Sequence, residues 1–385
     1  MIKDIILSEI YNSCKEKTIK VSIKNENGIF SASSPSGTSK GTYEAKTMDV
    51  KTIRKNFTKI KKKFLGKEES KVDKIIENIG IEKIGANFSI ALSMVAIKAV
   101  TRNNPYKFFN NKAKFFPYPL GNAIGGGAHS GYLSEQEFLV IPLKAKTIKE
   151  ATQTNLSIWK EVGKTLKSFI IGRNRENAWI CKLNDLKSLE ILTNIAENFG
   201  ARVGIDFAAS QIYKNGRYYY RHPDRNFSAK DQLEFVLNLI KTYKLFYIED
   251  PFHENDFENF AELTRKAKCL ITGDDIFATQ PSRLKLGIKK KAGNAIIIKP
   301  NQAGTITRTL ETVRIAKKTN YVTVVSHRSC ETEDSFIADL AFGIESPIIK
   351  CGIYGKEREA KLKRLIKIWN KTEKPKMTKL RKIFI

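Results

Sequence analysis

Long apolar runs are missing from this sequence. In the 385 residues, no apolar run approaches the length of roughly 20 residues that a membrane-spanning helix needs. The N-terminus, Met1-Ile2-Lys3-Asp4, carries charges within its first few residues and does not resemble a signal peptide. We therefore expect a cytoplasmic protein without a transmembrane segment.

Cysteine is also scarce. The five cysteines are odd in number and scattered along the chain, and they lack the paired spacing of zinc ligands. They are Cys14, Cys181, Cys269, Cys330 and Cys351. This pattern predicts reduced thiols, as is usual in a cytoplasmic protein.

Acidic residues are strongly outnumbered. The chain has 68 Lys and Arg against 40 Asp and Glu, which gives a net charge of +28. Such a charge attracts nucleic acid and other polyanions. The basic residues are nevertheless spread along the chain, with short clusters at 61–63, 289–291 and 374–382 and no aromatic residues interleaved. We favour a solvated lysine-rich surface, which would also steer an anionic substrate, and keep nucleic-acid binding as the less favoured alternative.

The length and the residue patterns predict an α/β protein of two domains. Residues 1–117 mix strand and helix signals and form an N-terminal α+β capping domain. From residue 118 to residue 370, apolar runs alternate with amphipathic stretches, as in a β/α barrel, and Pro117 and Pro119 mark the boundary. Residues 371–385 form a basic C-terminal tail.

Local patterns define elements of the first domain. Asn27-Gly28 is a strong signal for the turn of a β-hairpin. Apolar residues from Val50 to Phe64 recur at helical spacing, and a further helix is predicted from about Phe88 to Val100.

Four ionisable residues come directly after buried runs of the second domain. They are Asp206, Glu249, Asp274 and Lys299. The carboxyl ends of barrel strands meet at one mouth, so we expect these side chains to converge. Carboxylates are hard oxygen ligands that suit Mg²⁺, and a lysine beside them can act as a base. The alternative, in which they are helix caps and solvated strand ends, requires several coincidences.

The lysine needs a particular environment to act as a base. Its pKa must fall toward neutrality, and partial burial together with nearby cations, such as Mg²⁺ and Lys350, would lower it. Lys350 itself follows the apolar pair Ile348-Ile349 and can neutralise a carboxylate.

Residues suited to anion binding occur in two further segments. His129 follows the glycine run 125–127, where backbone can approach a ligand closely. His327, Arg328 and Ser329 follow the predicted strand 322–325, and a guanidinium with a hydroxyl can bind a phosphate. A turn histidine and a surface ion pair are the structural alternatives.

Over nearly its whole length the chain resembles the enolases, or phosphopyruvate hydratases, and especially their archaeal members. The resemblance is specific because several motifs occur together and in order. They are Pro35–Gly41, Gly126-Gly127-Ala128-His129, Gln136-Glu137-Phe138, Ile248-Glu249-Asp250-Pro251-Phe252, Gly273-Asp274-Asp275, Ile298–Gln302, Ser326-His327-Arg328-Ser329, Glu331–Asp334 and Ile349-Lys350-Cys351-Gly352.

The resemblance implies an enolase-type barrel and a lyase that reversibly dehydrates 2-phosphoglycerate to phosphoenolpyruvate. Lys299 would remove the C2 proton, and Lys350 with two Mg²⁺ would stabilise the enolate. Glu176, assisted by Glu137, would protonate the leaving hydroxyl.

The resemblance also assigns the remaining site residues. Asp206, Glu249 and Asp274 would bind the first Mg²⁺, and Ser39 the second. His129, Arg328 and Ser329 would hold the phosphate, with His327 as a further substrate contact. A homodimer is implied by analogy alone.

Several residues depart from the family pattern. Arg175 replaces an aspartate beside Glu176, where a cation would weaken the acid. A shifted register would place Asn174 at the acid position, although we favour Glu176. Residues 12–17, near the usual subunit contact, also differ. A lyase or racemase of the wider superfamily acting on another acid, or a non-catalytic nucleic-acid-binding relative, are the alternative functions.

Overall fold

The computed structural model of the chain describes residues 1–37, 41–127, 132–222 and 224–380. Two predicted site residues, Ser39 and His129, lie outside the described residues.

The N-terminal part consists of an antiparallel sheet covered by helices. Its strands, in the order β1-β2-β3, are β1 Asp4–Tyr11, β2 Lys17–Asn25 and β3 Gly28–Ser33. Its helices are α1 Val50–Lys61, α2 Val72–Ile79, α3 Ile81–Ile84, α4 Ala86–Val100 and α5 Tyr106–Phe109.

The local predictions for this part are confirmed with small shifts. The hairpin β2–β3 turns at Glu26-Asn27, one residue before the predicted pair, and Gly28, the first residue of β3, has a φ of 124° that favours glycine. Helix α1 starts after Asp49, whose side chain accepts from the Thr52 amide, and it ends before Phe64. Helix α4 is almost wholly buried because it contacts both β2 and β3.

The remaining strands belong mostly to one barrel. They are β4 Phe115–Phe116, β5 Tyr118–Gly125, β6 Glu137–Ile141, β7 Ile170–Arg173, β8 Trp179–Cys181, β9 Arg202–Asp206, β10 Tyr213–Lys214, β11 Arg217–Arg221, β12 Asp224–Phe227, β13 Tyr247–Glu249, β14 Leu270–Gly273, β15 Ala295–Ile298, β16 Val322–Ser326, β17 Ile348–Lys350 and β18 Lys376–Met377.

Helices follow most of these strands and cover the outside of the barrel. They are α6 Ile148–Thr165, α7 Asp185–Asn198, α8 Ala229–Thr242, α9 Phe257–Lys266, α10 Pro281–Lys290, α11 Pro300–Ala303, α12 Ile306–Lys318, α13 Phe336–Gly343 and α14 Lys356–Trp369. Among the described residues, no helix combines the length and the apolar character needed to span a bilayer.

Eight strands within the described ranges close the barrel. In spatial order they are β5, β6, β9, β13, β14, β15, β16 and β17, and pairing of β17 with β5 completes the ring. The predicted α/β fold class, a β/α barrel with an α+β N-terminal domain, is therefore confirmed.

One barrel strand runs against the others. Strand β6 is antiparallel to both neighbours, β5 and β9, whereas the other barrel pairs are parallel. As a result, the first residue of β6, Glu137, lies opposite Asp206, the last residue of β9. The antiparallel direction thus brings a carboxylate from the start of a strand to the mouth where the others end.

The end of the described chain returns to the start of the barrel domain. Strand β18 pairs with β4, where Met377 lies opposite Phe116. The domain limits 1–117, 118–370 and 371–385 remain a prediction.

The prediction of five reduced thiols is wrong for two of them. Cys14 and Cys330 form a disulfide that joins the two domains across a sequence separation of 316. Cysteine spacing along the chain gave no indication of this pair, because only the docking of the domains brings the two residues together. Cys181, Cys269 and Cys351 are free and buried.

Candidate active site

The proposed base, Lys299, lies at the mouth of the barrel beside a proposed metal ligand. It follows β15, and its ammonium forms an ion pair with Asp274, which follows β14. Burial alone lowers the pKa of Lys299, but the Asp274 carboxylate raises it above its ordinary value. In this arrangement Lys299 is protonated, contrary to the expectation that its surroundings lower its pKa.

A second lysine connects three carboxylates. The Lys350 Nζ lies 2.9 Å from Asp206, 2.9 Å from Glu249 and 3.0 Å from Glu137. The four side chains come from β17, β9, β13 and β6 and are all buried. Burial lowers the pKa of Lys350, yet these carboxylates raise it well above its ordinary value.

The mouth holds more carboxyl groups than basic groups. Burial and the Asp206 carboxylate raise the pKa of Glu249 to about 8, and burial and Asp274 raise that of Asp275 to about 7. Burial also raises the pKa of Glu137 and Asp250 well above the ordinary range, with neighbouring carboxylates adding to it. Lys299 and Lys350 do not balance this set, so the donor chemistry fits a divalent cation.

Among the described residues, Asp250, Asp274 and Asp275 have carboxylate oxygens within 4.8 Å of one another. The two oxygens of Asp250 accept from the amides of Asp274 and Asp275 at 2.9 and 2.7 Å. Asp250 therefore orients the turn that carries Asp274. Of the predicted ligands, Asp206 and Glu249 bind Lys350 instead, so only Asp274 belongs to this group.

The proposed acid, Glu176, is buried at the barrel mouth and lines a cavity that Lys299 and Lys350 also line. Its carboxylate accepts from Asn122 Nδ2 at 3.3 Å and lies 3.5 Å from His327 Nε2. The preceding Asn174 side chain accepts from the amides of Glu176 and Ala178, both at 2.9 Å, and so fixes the turn. In this register Glu176 lines the cavity.

His327 is neutral in this arrangement. Its Nδ1 lies 2.9 Å from an Arg358 nitrogen, which can only donate, so Nδ1 accepts and the ring proton is on Nε2, facing Glu176. Burial lowers the pKa of His327 to about 4. The ring therefore presents an N–H rather than a charge to the acid.

Arg175, which stands where the family pattern has an aspartate, lines a groove next to the cavity. Its guanidinium lies 3.8 Å from a Glu16 carboxylate oxygen and 3.8 Å from Cys330 Sγ. Glu16, Ser36 and Arg328 line the same groove. Arg175 and Glu176 thus face two adjoining spaces although they are consecutive in the chain.

The residues predicted to bind an anion lie in the segment after β16. The Arg328 guanidinium binds the Glu44 carboxylate at 2.9 and 3.0 Å. Gly37 packs directly on this guanidinium, and a Cβ there would lie 2.0 Å from Arg328 Nη2. Ser329 lines the cavity beside Arg328.

Arg358 supports this segment from helix α14. Its fully buried guanidinium donates to the carbonyls of Arg328 and Ser329 at 2.8 and 2.6 Å, and to the Arg175 carbonyl at 3.2 Å. One side chain therefore holds both the segment with Arg328 and Ser329 and the turn that carries Glu176.

The structure brings most predicted site residues to one cavity. Its lining includes Glu137, Glu176, Asp206, Asp274, Lys299, His327, Arg328, Ser329 and Lys350. Glu249 lies beneath it and binds Lys350.

Sequence reasoning missed four residues of functional interest. Asp250 and Asp275 lie inside motifs that carry the family resemblance but were assigned no role, although each directly follows a predicted metal ligand, Glu249 or Asp274. Glu44 and Arg358 gave no signal, because their importance depends on contacts with residues far along the chain.

The fold and the site define a class of protein: a β/α-barrel enzyme whose mouth combines buried carboxylates, two lysines and a buried arginine. The family models for "Enolase, N-terminal domain" and "Enolase, C-terminal TIM barrel domain" match residues 2–111 and 113–377.

Similar curated proteins carry the name enolase. The chain is 38% identical to enolase of Archaeoglobus fulgidus, covering 98% of this chain and 99% of that protein. It is 38% identical to enolase of Methanosphaera stadtmanae, covering 99% of both chains. For enolase of Methanothermobacter thermautotrophicus the identity is 37% over 96% of both. The chain belongs to the enolase family and is a lyase of the phosphopyruvate hydratase class.

Proposed function

We propose that this protein catalyses the Mg²⁺-dependent, reversible dehydration of 2-phosphoglycerate to phosphoenolpyruvate, a step of glycolysis and gluconeogenesis. The observation that carries the proposal is the shared cavity of Lys299, Glu176 and Arg328. A base, an acid and an anion-binding group therefore reach one bound ligand.

Two Mg²⁺ ions are the proposed cofactor. Asp206, Glu249 and Asp274 would hold the first ion, and Ser39, outside the described residues, would contribute to the second. When bound, Mg²⁺ supplies positive charge that stabilises the enolate of the substrate carboxylate. The excess of buried carboxylates, visible in the raised pKa of Glu249 and Asp275, supports this assignment.

Lys299 is the proposed base for the C2 proton. Its ion pair with Asp274 holds the proton on the amine, so the neutral amine forms only when Asp274 is neutralised by another cation. Lys350 then remains the protein's own positive charge next to the developing enolate, because it is held by Asp206, Glu249 and Glu137.

Glu176 is the proposed acid that protonates the 3-hydroxyl, which leaves as water. Burial and the Glu176 charge raise the pKa of Glu137 well above its ordinary range, so the pair can share a proton at neutral pH. The His327 N–H faces Glu176 without adding a charge that would weaken the acid.

Arg328 and Ser329 are proposed to bind the phosphate together with His129, which lies outside the described residues. Glu44 occupies the Arg328 guanidinium in this structure. An incoming phosphate would therefore replace a carboxylate on the same two nitrogens. The homodimer and the cytoplasmic location expected from the sequence remain predictions.

The test is phosphoenolpyruvate formation from 2-phosphoglycerate, with and without Mg²⁺, in the native protein and in Lys299→Ala. Loss of a general base should lower turnover by about a hundredfold to ten-thousandfold. Lys285→Ala, an exposed lysine on α10, is the matched control and should keep native turnover.

The outcome separates the alternatives. Mg²⁺-dependent turnover that Lys299→Ala removes supports the proposal. A folded protein that binds Mg²⁺ and does not act on 2-phosphoglycerate would contradict it and favour a superfamily lyase or racemase acting on another carboxylic acid.

A further inference from the structure

The Cys14–Cys330 disulfide lies beside the proposed phosphate site. Cys330 directly follows Arg328 and Ser329 in the chain, and Cys14 is in the turn between β1 and β2. The disulfide therefore links the N-terminal domain to the barrel segment that carries the anion-binding residues.

Hydrogen bonds surround the disulfide and extend to the cavity. The backbones of Ser36 and Cys330 exchange two hydrogen bonds, at 2.9 and 3.0 Å. The Ser13 amide donates to the Glu331 carbonyl at 2.7 Å, and the Glu331 amide donates to the Ser13 hydroxyl at 3.0 Å. Asn12 Nδ2 donates to the Ser36 hydroxyl at 2.8 Å. Three chain segments thus meet at this covalent bond.

The next residues connect this junction to the anion site. Gly37 follows Ser36 and packs against the Arg328 guanidinium. There is no space for a Cβ at position 37. A shift of the Ser36–Cys330 pair would therefore move a contact of the guanidinium that binds Glu44. The position of Arg328 depends on the junction from two sides, through the chain and through Gly37.

We propose that Cys14–Cys330 is a reversible redox site whose disulfide form holds Arg328 and Ser329 in their phosphate-binding arrangement. This inference rests on the proposed function for its link to catalysis. In the cytosol of mesophiles a disulfide is more often a reversible redox site than a permanent crosslink, whereas hyperthermophiles also use stable intracellular disulfides.

The chemistry requires a dithiol as the reductant. Cys14 is partly exposed and Cys330 is fully buried, so a thiolate of the dithiol attacks Cys14 Sγ. The S–S bond breaks and Cys330 leaves as a thiolate next to the Arg175 guanidinium, 3.8 Å away. The second thiol of the reductant then attacks the mixed disulfide and releases Cys14. Two electrons pass to the cystine, the two protein thiols take up two protons, and the reductant becomes a cyclic disulfide.

The experiment compares the protein oxidised with glutathione disulfide and reduced with dithiothreitol. Alkylation and mass spectrometry count the thiols, with three expected in the oxidised form and five in the reduced form. Calorimetry measures the affinity for inorganic phosphate, and steady-state kinetics measure KM and kcat for 2-phosphoglycerate. Reduction should weaken phosphate binding and raise KM by about fivefold or more, since small displacements of binding groups have effects of this size.

Two variants isolate the site. Cys14→Ser should behave like the reduced native protein in both buffers, and Cys269→Ala, which removes a distant buried thiol, should respond to reduction like the native protein. A purely structural crosslink would change the unfolding temperature while phosphate affinity and KM stay the same.

The outcomes are distinguishable from those of the proposed function. Five thiols after oxidation, or equal phosphate affinity in both redox states, would overturn the redox proposal even if the enzyme is active. If 2-phosphoglycerate is not turned over but phosphate affinity still depends on Cys14, the redox site stands and the proposed reaction fails.

Discussion

At the scale of single residues, the basic groups at the barrel mouth are outnumbered by carboxyl groups. Lys350 lies within 3.0 Å of three carboxylates, and Lys299 forms an ion pair with Asp274. Buried ion pairs are costly to assemble, and removing one partner of such a set leaves an uncompensated charge. The arrangement is therefore better explained by cation and anion binding than by stability.

His327 gives a residue-scale prediction about pH. Burial lowers the pKa of His327 to about 4, whereas an unfolded histidine titrates near 6.5. Between these values the unfolded chain binds a proton that the folded protein does not. Stability is therefore complete above pH 6.5 and falls as the pH is lowered toward 4, by up to about 3 kcal/mol from this residue.

The measurement is urea unfolding of the native protein and of His327→Gln at pH 6.5 and pH 4.5. The glutamine cannot titrate, so the variant should lose less stability on acidification than the native protein. Equal losses in the two proteins would show that other groups cause the acid sensitivity.

Part of the residue-scale site could be predicted from sequence. Lys299, Asp274 and Lys350 follow short apolar runs, and barrel geometry requires such positions to converge. Glu44 and Cys14 could not be found in this way, because their partners, Arg328 and Cys330, are about three hundred residues away in the chain and adjacent only after folding.

At the scale of elements, helix α14 supports the proposed anion site through Arg358. The guanidinium reaches the carbonyls of Arg328, Ser329 and Arg175 and the ring of His327. Arg358 is a positioning residue, because it contacts these residues rather than the cavity.

We expect Arg358→Lys to raise KM for 2-phosphoglycerate more than it lowers kcat. An ammonium has three donors without the planar fork of a guanidinium, so it cannot satisfy the same four acceptors. Steady-state kinetics and inorganic phosphate affinity measure the effect, with Arg314→Lys on the surface of α12 as the control. A large fall in kcat with KM unchanged would contradict a positioning role.

The sequence pattern did not predict that strand β6 runs antiparallel to its neighbours. The run Phe138–Ile141 is apolar like the parallel strands, and periodicity does not report direction. The consequence is functional, because an antiparallel β6 puts Glu137 opposite Asp206 at the mouth.

At the scale of the whole molecule, a chain with a net charge of +28 surrounds a site whose lining has more carboxyl groups than basic groups. Surface lysines far from the cavity affect encounter with an anionic substrate, whereas the buried groups affect its conversion. These two contributions respond differently to salt, because screening acts on exposed charges over about 10 Å at 0.1 M.

We therefore expect kcat/KM for 2-phosphoglycerate to fall with rising potassium chloride while kcat stays nearly constant. Across about 0.05 to 0.5 M salt, loss of electrostatic steering should lower kcat/KM by about tenfold at most. Binding of single-stranded RNA, measured over the same salt range, tests the alternative use of the charge. Tight binding with a steep salt slope would show a polyanion partner. Weak binding, together with a salt-sensitive kcat/KM, would assign the positive surface to substrate capture.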